Sequence, residues 1–140
     1  MLSALFLIKL SAVLTVLYAG LNVHQLTGSY AQMLGKIDRF RAVLAQAEGT
    51  AGLIRLNLFF YVAVPGAYLA VLRVSGIEPL MLGGLTLKFA CTAFLDIRAE
   101  RRIVAGGGYS SRQHMLSRCD NALNLAVAVL VLYALLKPAG

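Results

Sequence analysis

Along the chain, apolar residues gather into four long runs, Leu2 to Asn22, Gly52 to Val74, Pro79 to Ile97 and about Cys119 to Leu136, separated by polar connections. Each is close to the ~20 residues that a helix needs to cross a hydrocarbon core. Lipid offers the backbone no hydrogen-bond partners, so such segments are expected to be helices. The pattern predicts an all-α, integral membrane, antiparallel four-helix bundle forming a single domain over residues 1–140, with spans at about 2–22, 52–74, 79–97 and 119–136. The first run has the length of a secretory leader, but no basic residue precedes it and Lys9 interrupts it, so it is read as a span. The connection from Ser75 to Glu78 is short enough to make the second and third spans antiparallel neighbours.

The two long connections carry patterns of their own. In the first, Ile37, Phe40, Val43, Leu44 and Ala47 recur at helical spacing beside Lys36, Arg39 and Arg41, which predicts a short helix at the membrane surface with a basic face toward anionic headgroups or solvent. In the other, Gly106, Gly107 and Gly108 break the helix, and Ser110 with Gln113 has the spacing of a capping box for the next one. That helix is expected from about Ser111 to Leu136; at 1.5 Å per residue it is ~39 Å long, so its first turns should project beyond the membrane. A glycine run ahead of a helix can also cradle phosphate, but the Walker spacing and its lysine are missing.

Composition sharpens this picture. With 140 residues, 59% of them hydrophobic and only 14% charged, a water-soluble domain could not hide its apolar surface. The net charge of +7 does not point to nucleic acid, because the basic residues lie between apolar runs rather than along a face with interleaved aromatics. Nine of the thirteen Lys and Arg residues lie in or beside the two long loops: Lys36, Arg39, Arg41, Arg55, Arg98, Arg101, Arg102, Arg112 and Arg118. Only Lys9, Arg73 and Lys137 lie toward the other side, so the positive-inside rule puts both long loops in the cytoplasm and both termini outside. The expected location is a bacterial inner membrane. Cys91 and Cys119 form no CxxC pair or metal spacing and are read as small core residues.

Polar residues inside the spans must be satisfied by one another or by a cavity, so their helical phase shows which face turns inward. Ser11, Thr15, Tyr18 and Asn22 form one stripe, and Asn57, Tyr61 and Pro65 another. Gly84, Lys88, Thr92 and Asp96 repeat every four residues, and the fourth span begins with Asp120, Asn121 and Asn124. Together with Arg55 these groups predict a polar site open to the cytoplasm, the candidate ligand-binding residues being Arg55, Asn57, Lys88, Asp96, Asn121 and Asn124. The same stripes serve equally as interhelical hydrogen bonds that set packing. Lys88 stands out, because a bare ammonium about nine residues into a span costs several kcal/mol. Asp96 is two turns away, too far to pair directly, which leaves an anionic ligand, a carbonyl freed by Pro65, water, a neighbouring subunit, or snorkelling.

Most enzyme chemistries have no counterpart here: there is no HExxH, nucleophile elbow, paired carboxylates within a span, or acidic cluster for a hard cation. His24 and His114 are the only histidines, which excludes a pair of bis-histidine haems within one chain and leaves a single one open on count alone.

Asn57 early in the second span, followed by Gly76 in the turn "RVSGIEPL", sits in a register similar to that of the membrane-associated eicosanoid and glutathione metabolism (MAPEG) family. The chain resembles that family in length, in four helices with outward termini, and in a long cytoplasmic first loop. Family members carry Arg-x-x-x-Asn-x-x-Glu there; in this chain only the asparagine matches, Leu53 and Phe60 taking the positions of the arginine and glutamate. Arg55 is displaced by two, and a second partial match, Arg41 with Glu48, has Ala45 in place of the asparagine. The resemblance implies a trimer with its ligand between subunits, and glutathione as that ligand, although the departures fall on the groups that would hold it.

The leading expectation is thus a small homo-oligomeric membrane protein resembling that family, with a polar, cationic site in its cytoplasmic half for a lipophilic or anionic ligand, and membrane lipids around it. The alternatives are a non-catalytic subunit or assembly factor of a larger membrane complex, and a small anion transporter or channel built on Lys88.

Overall fold

The computed structural model describes residues 3–46 and 50–137. Five α-helices follow one another: α1 (Ala4–Thr27), α2 (Tyr30–Gln46), α3 (Thr50–Val74), α4 (Pro79–Val104) and α5 (Ser111–Leu136), with no strand among the described residues. Four of them, all but α2, are long and apolar enough to cross a membrane. Their 24 to 26 residues correspond to ~36–39 Å at 1.5 Å per residue, more than the ~30 Å that an untilted helix needs to cross the hydrocarbon layer.

The ends of the helices are written in local chemistry. Ser3 accepts the backbone N–H of Phe6 at 3.2 Å and starts α1. Ser29 and Gln32 exchange side-chain-to-backbone bonds at 2.9 and 3.2 Å, a reciprocal cap that starts α2 immediately after α1. The same device, Ser110 with Gln113, starts α5 as the spacing predicts. Pro79 opens α4, where its missing N–H is no loss, and Gly76 supplies the left-handed φ of +87° that turns α3 into α4. Gly106 does the same at φ +82° after α4. Gly107 follows with its N–H on the Arg102 carbonyl at 2.8 Å, where a Cβ would lie 2.8 Å from that same oxygen.

Helix α1 packs antiparallel along α5 and also meets α3, its stripe of Ser11, Thr15 and Asn22 facing both, and α3 in turn forms an antiparallel hairpin with α4. The apolar core lies toward the α3–α4 turn: Leu72, Ile77, Leu85, Phe89, Val131 and Leu135 cluster there, with Tyr18 and Tyr68 stacked against each other and edge-on to Phe89. The polarity is inverted relative to a soluble protein. Ser11, Thr15, Asn22, Asn121 and Asn124 are buried, whereas Leu17, Leu21, Val62, Leu87, Phe94 and Val129 are exposed. In water that arrangement would waste the hydrophobic effect; with lipid outside, it places each polar group beside a partner and each apolar one in a matching solvent. It also corrects the placement of the cysteines. Cys91 and Cys119 are both exposed rather than in the core, since a small apolar side chain is as much at home against lipid as in a bundle.

Helix α2 is pinned to the α4–α5 connection. Tyr30 donates to the Tyr109 carbonyl at 2.7 Å, Arg41 Nη2 donates to the Gly107 carbonyl at 2.5 Å, and Ile37 is buried beneath. Both long connections therefore lie at one end of the bundle.

Candidate functional site

The polar stripes of α1, α4 and α5 meet along the helices' length in one network. Lys88, a little over two turns into α4, donates to Thr92 Oγ1 at 2.7 Å and Asp120 Oδ1 at 3.0 Å, and to Asn124 Oδ1. Thr92 in turn donates to both Asp120 oxygens, at 3.2 and 3.4 Å, closing a ring of ammonium, hydroxyl and carboxylate. Asn124 Nδ2 donates to Asn22 Oδ1 at 2.7 Å, and Asn22 Nδ2 to the Tyr18 carbonyl at 2.7 Å, which carries the network into α1. The side chains of Lys88 and Asp120 are 13% and 25% exposed, so this is a largely buried ion pair.

The partner left open for Lys88 is thus Asp120, on a different helix. All three ammonium protons are used within the chain, and the pair is formally neutral. The site was expected to be cationic; at its centre the charges balance. Asn121, also buried, bonds back to the Ser117 carbonyl at 2.9 Å rather than joining the ring. Asn57 is half-buried and donates to Glu100 Oε1 at 3.0 Å across the α3–α4 hairpin. Asp96 and Arg55 stay exposed. Of the six candidate residues, the structure brings Lys88 and Asn124 together, and sequence reasoning missed Asp120, Thr92 and Asn22 as their direct partners. The signal was present: Asp120 and Lys88 are opposite charges inside two spans that must run antiparallel.

A second polar system ties α1 to the end of α3. Ser11 and Ser75 hydroxyls lie 2.6 Å apart, Thr15 and Tyr68 hydroxyls 2.7 Å apart, and Ser75 also reaches the Leu7 carbonyl at 3.1 Å. At the opposite end, His114 is buried against Tyr30 and Tyr109, with ring centroids 5.6 and 6.3 Å away, and its Nδ1 has no partner among the described residues. Burial there raises the Tyr109 phenol above its usual value, so it stays neutral through the physiological range. His24 is exposed.

Chemically, the central ring can hold a register or accept a polar group in exchange for one of its neutral members. Toward the α3–α4 turn, the space beyond the ring is filled by Leu85, Phe89 and Val131. Between α4 and α5, however, a cavity of about 220 Å³ is lined by Met81, Gly84, Leu85, Val127 and Leu130, with Lys88 in its wall. Comparison with known families, characterised proteins and solved structures finds no match.

Proposed function

We propose that this chain is a small oligomeric membrane protein that receives a lipophilic ligand in the seam between α4 and α5, the ligand's polar head meeting the ring around Lys88. The observation that carries this reading is the seam cavity, whose lining is almost wholly apolar and includes Lys88. Its volume suits a stretch of acyl or prenyl chain, the remainder lying in the bilayer. Because Asp120 already balances the ammonium, a neutral head such as a carbonyl or hydroxyl fits better than an anion, taking the place of Asn124 or Thr92 on Lys88. The MAPEG-like layout, with the basic loops in the cytoplasm and ligands bound among helices, agrees with this proposal. Glutathione does not gain from it, since Asn57 is already engaged by Glu100.

Gly84 offers a clean test, because a Cβ there meets nothing within 4 Å. Gly84→Leu would place bulk in the seam from a Cβ that meets no neighbour, and Gly20→Leu, equally open at its Cβ on α1, serves as the control. Native mass spectrometry of the protein extracted in mild detergent should show a lipophilic adduct retained by wild type and Gly20→Leu and lost from Gly84→Leu. Retention by all three would sink the seam as a binding site.

One observation favours the second reading, a subunit of a larger complex. Within the apolar window of α3 no residue is fully buried inside the chain, so that helix has a whole face left for another protein. A single homo-oligomeric species after purification would count against an obligatory foreign partner.

A further inference from the structure

On the other side of α4 from Lys88, Phe94, Ile97, Arg98 and Arg101 share one face, at the i, i+3, i+4, i+7 spacing that aligns side chains along a helix. With Leu58 of α3 they line a groove of about 340 Å³, open to the surroundings at the end of the bundle that carries the basic loops. The groove has two chemistries in sequence. Phe94 and Leu58, both exposed, form an apolar stretch within the spans, and one to two turns further along α4 come two exposed guanidiniums. Neither Arg98 nor Arg101 forms a salt bridge among the described residues, where the one ion pair is Lys88 with Asp120. Arg55, also exposed, stands one turn before Leu58 on α3 and adds a third positive charge at the same end.

Free guanidiniums above an apolar groove between two spans match the amphiphile that a membrane supplies in excess. We propose that the α3–α4 groove is a specific site for an anionic glycerophospholipid, its phosphate held by Arg98 and Arg101 and an acyl chain lying along Phe94, Ile97 and Leu58. Arginine suits this role because its planar fork meets two phosphate oxygens at once, and basic recesses between membrane helices recur as headgroup sites. The carboxylates nearest in the hairpin are not paired with these arginines. Glu100 is engaged by Asn57, and Asp96 lies about 160° around α4 from Arg98. This site is independent of the α4–α5 seam and stands whether or not that seam binds a ligand.

The test uses the full chain, delipidated in detergent and titrated with phosphatidylglycerol or with phosphatidylcholine of the same acyl chains, binding being read by native mass spectrometry. Wild type should favour phosphatidylglycerol. At about fivefold per arginine near a membrane surface, Arg98→Gln/Arg101→Gln should lose about 25-fold in that affinity. Arg112→Gln/Arg118→Gln, which removes equal charge at the same end, should keep it. Leu58→Trp, which fills the groove and leaves the charge intact, should also weaken binding, and it keeps the proposal testable if the double arginine variant fails to insert. Equal affinity for the two lipids, or equal losses in the two double variants, would overturn the site in favour of diffuse charge. Displacement of bound phosphatidylglycerol by millimolar inorganic phosphate would overturn the lipid assignment in favour of a free anion.

Discussion

Breaking the Lys88–Asp120 pair from one side should cost far more than removing it from both. At 3.0 Å, two unit charges attract by about 5.5 kcal/mol at an effective dielectric constant of about 20. Each ion gave up several kcal/mol of hydration to be there, so the net worth of the pair is small. Removing one partner leaves the other charge with its desolvation cost and without its attraction, typically a loss of about 3–5 kcal/mol. With 13% and 25% of the two side chains still exposed, the lower end, about 3 kcal/mol, is expected for Asp120→Leu. Lys88→Met should cost less, since Asp120 keeps Thr92 and Asn124 as donors. The double variant Lys88→Met/Asp120→Leu, which swaps the ions for apolar side chains, should return to within ~1 kcal/mol of wild type or exceed it. Equilibrium unfolding in mixed micelles of the four proteins forms a double-mutant cycle. If the double variant loses as much as the two single losses added together, the two groups act independently and the ion pair is not the centre of the network.

Four other outcomes follow from the geometry. With Cys91 and Cys119 replaced by alanine, a cysteine at position 102 should resist an impermeant reagent in intact cells while one at the C-terminus labels, and the reverse would refute the cytoplasmic placement of the basic loops. Asn124→Leu, which removes the bonds to Asn22 and Lys88, should cost on the order of 0.6 to 2 kcal/mol in the same unfolding assay, and no cost would show that these bonds form equally well in the unfolded, inserted chain. Gly107→Ala puts a methyl 2.8 Å from the Arg102 carbonyl and should cost about 1–3 kcal/mol, read as faster hydrogen exchange in α2 and the 105–110 turn, whereas Gly108→Ala, with nothing within 4 Å, should not. Tyr30→Phe removes one bond to Tyr109 and should loosen α2 by about 0.5–1.5 kcal/mol without touching the spans, so unchanged exchange in α2 would show that it is held by something else.

Much of the fold was legible because the bilayer simplifies the code. Four apolar runs had to be helices, and the Ser110–Gln113 cap and glycine break located α5 to the residue. Hydropathy marks where a helix leaves lipid, however, not where it ends. Helix α1 continues to Thr27 and α4 to Val104 because a polar helix is still a helix in the headgroup layer. The cap formed by Ser29 and Gln32 has the same S-x-x-Q spacing as the one at α5 and would have placed the start of α2, but no apolar run follows it to draw attention.

The site was harder for a reason that belongs to helical geometry. A four-residue repeat advances 400°, so each step drifts about 40°, and over the eight residues from Lys88 to Asp96 the drift reaches about 80°. That is enough to carry Asp96 out of the seam while Thr92, half as far round, stays in it. Periodicity reports the phase within one helix and is silent on the register between two; the latter brings Asp120 opposite Thr92 and Asn124 opposite Lys88. The apolar residues give even less, since the same leucine or cysteine serves against lipid or in the core, as exposed Cys91 and buried Leu85 on one helix show. In a membrane chain the polar residues are therefore the informative ones. Each must find a partner, and pairing opposite charges across antiparallel spans turns that need into a register, which is the step that joins Lys88 to Asp120.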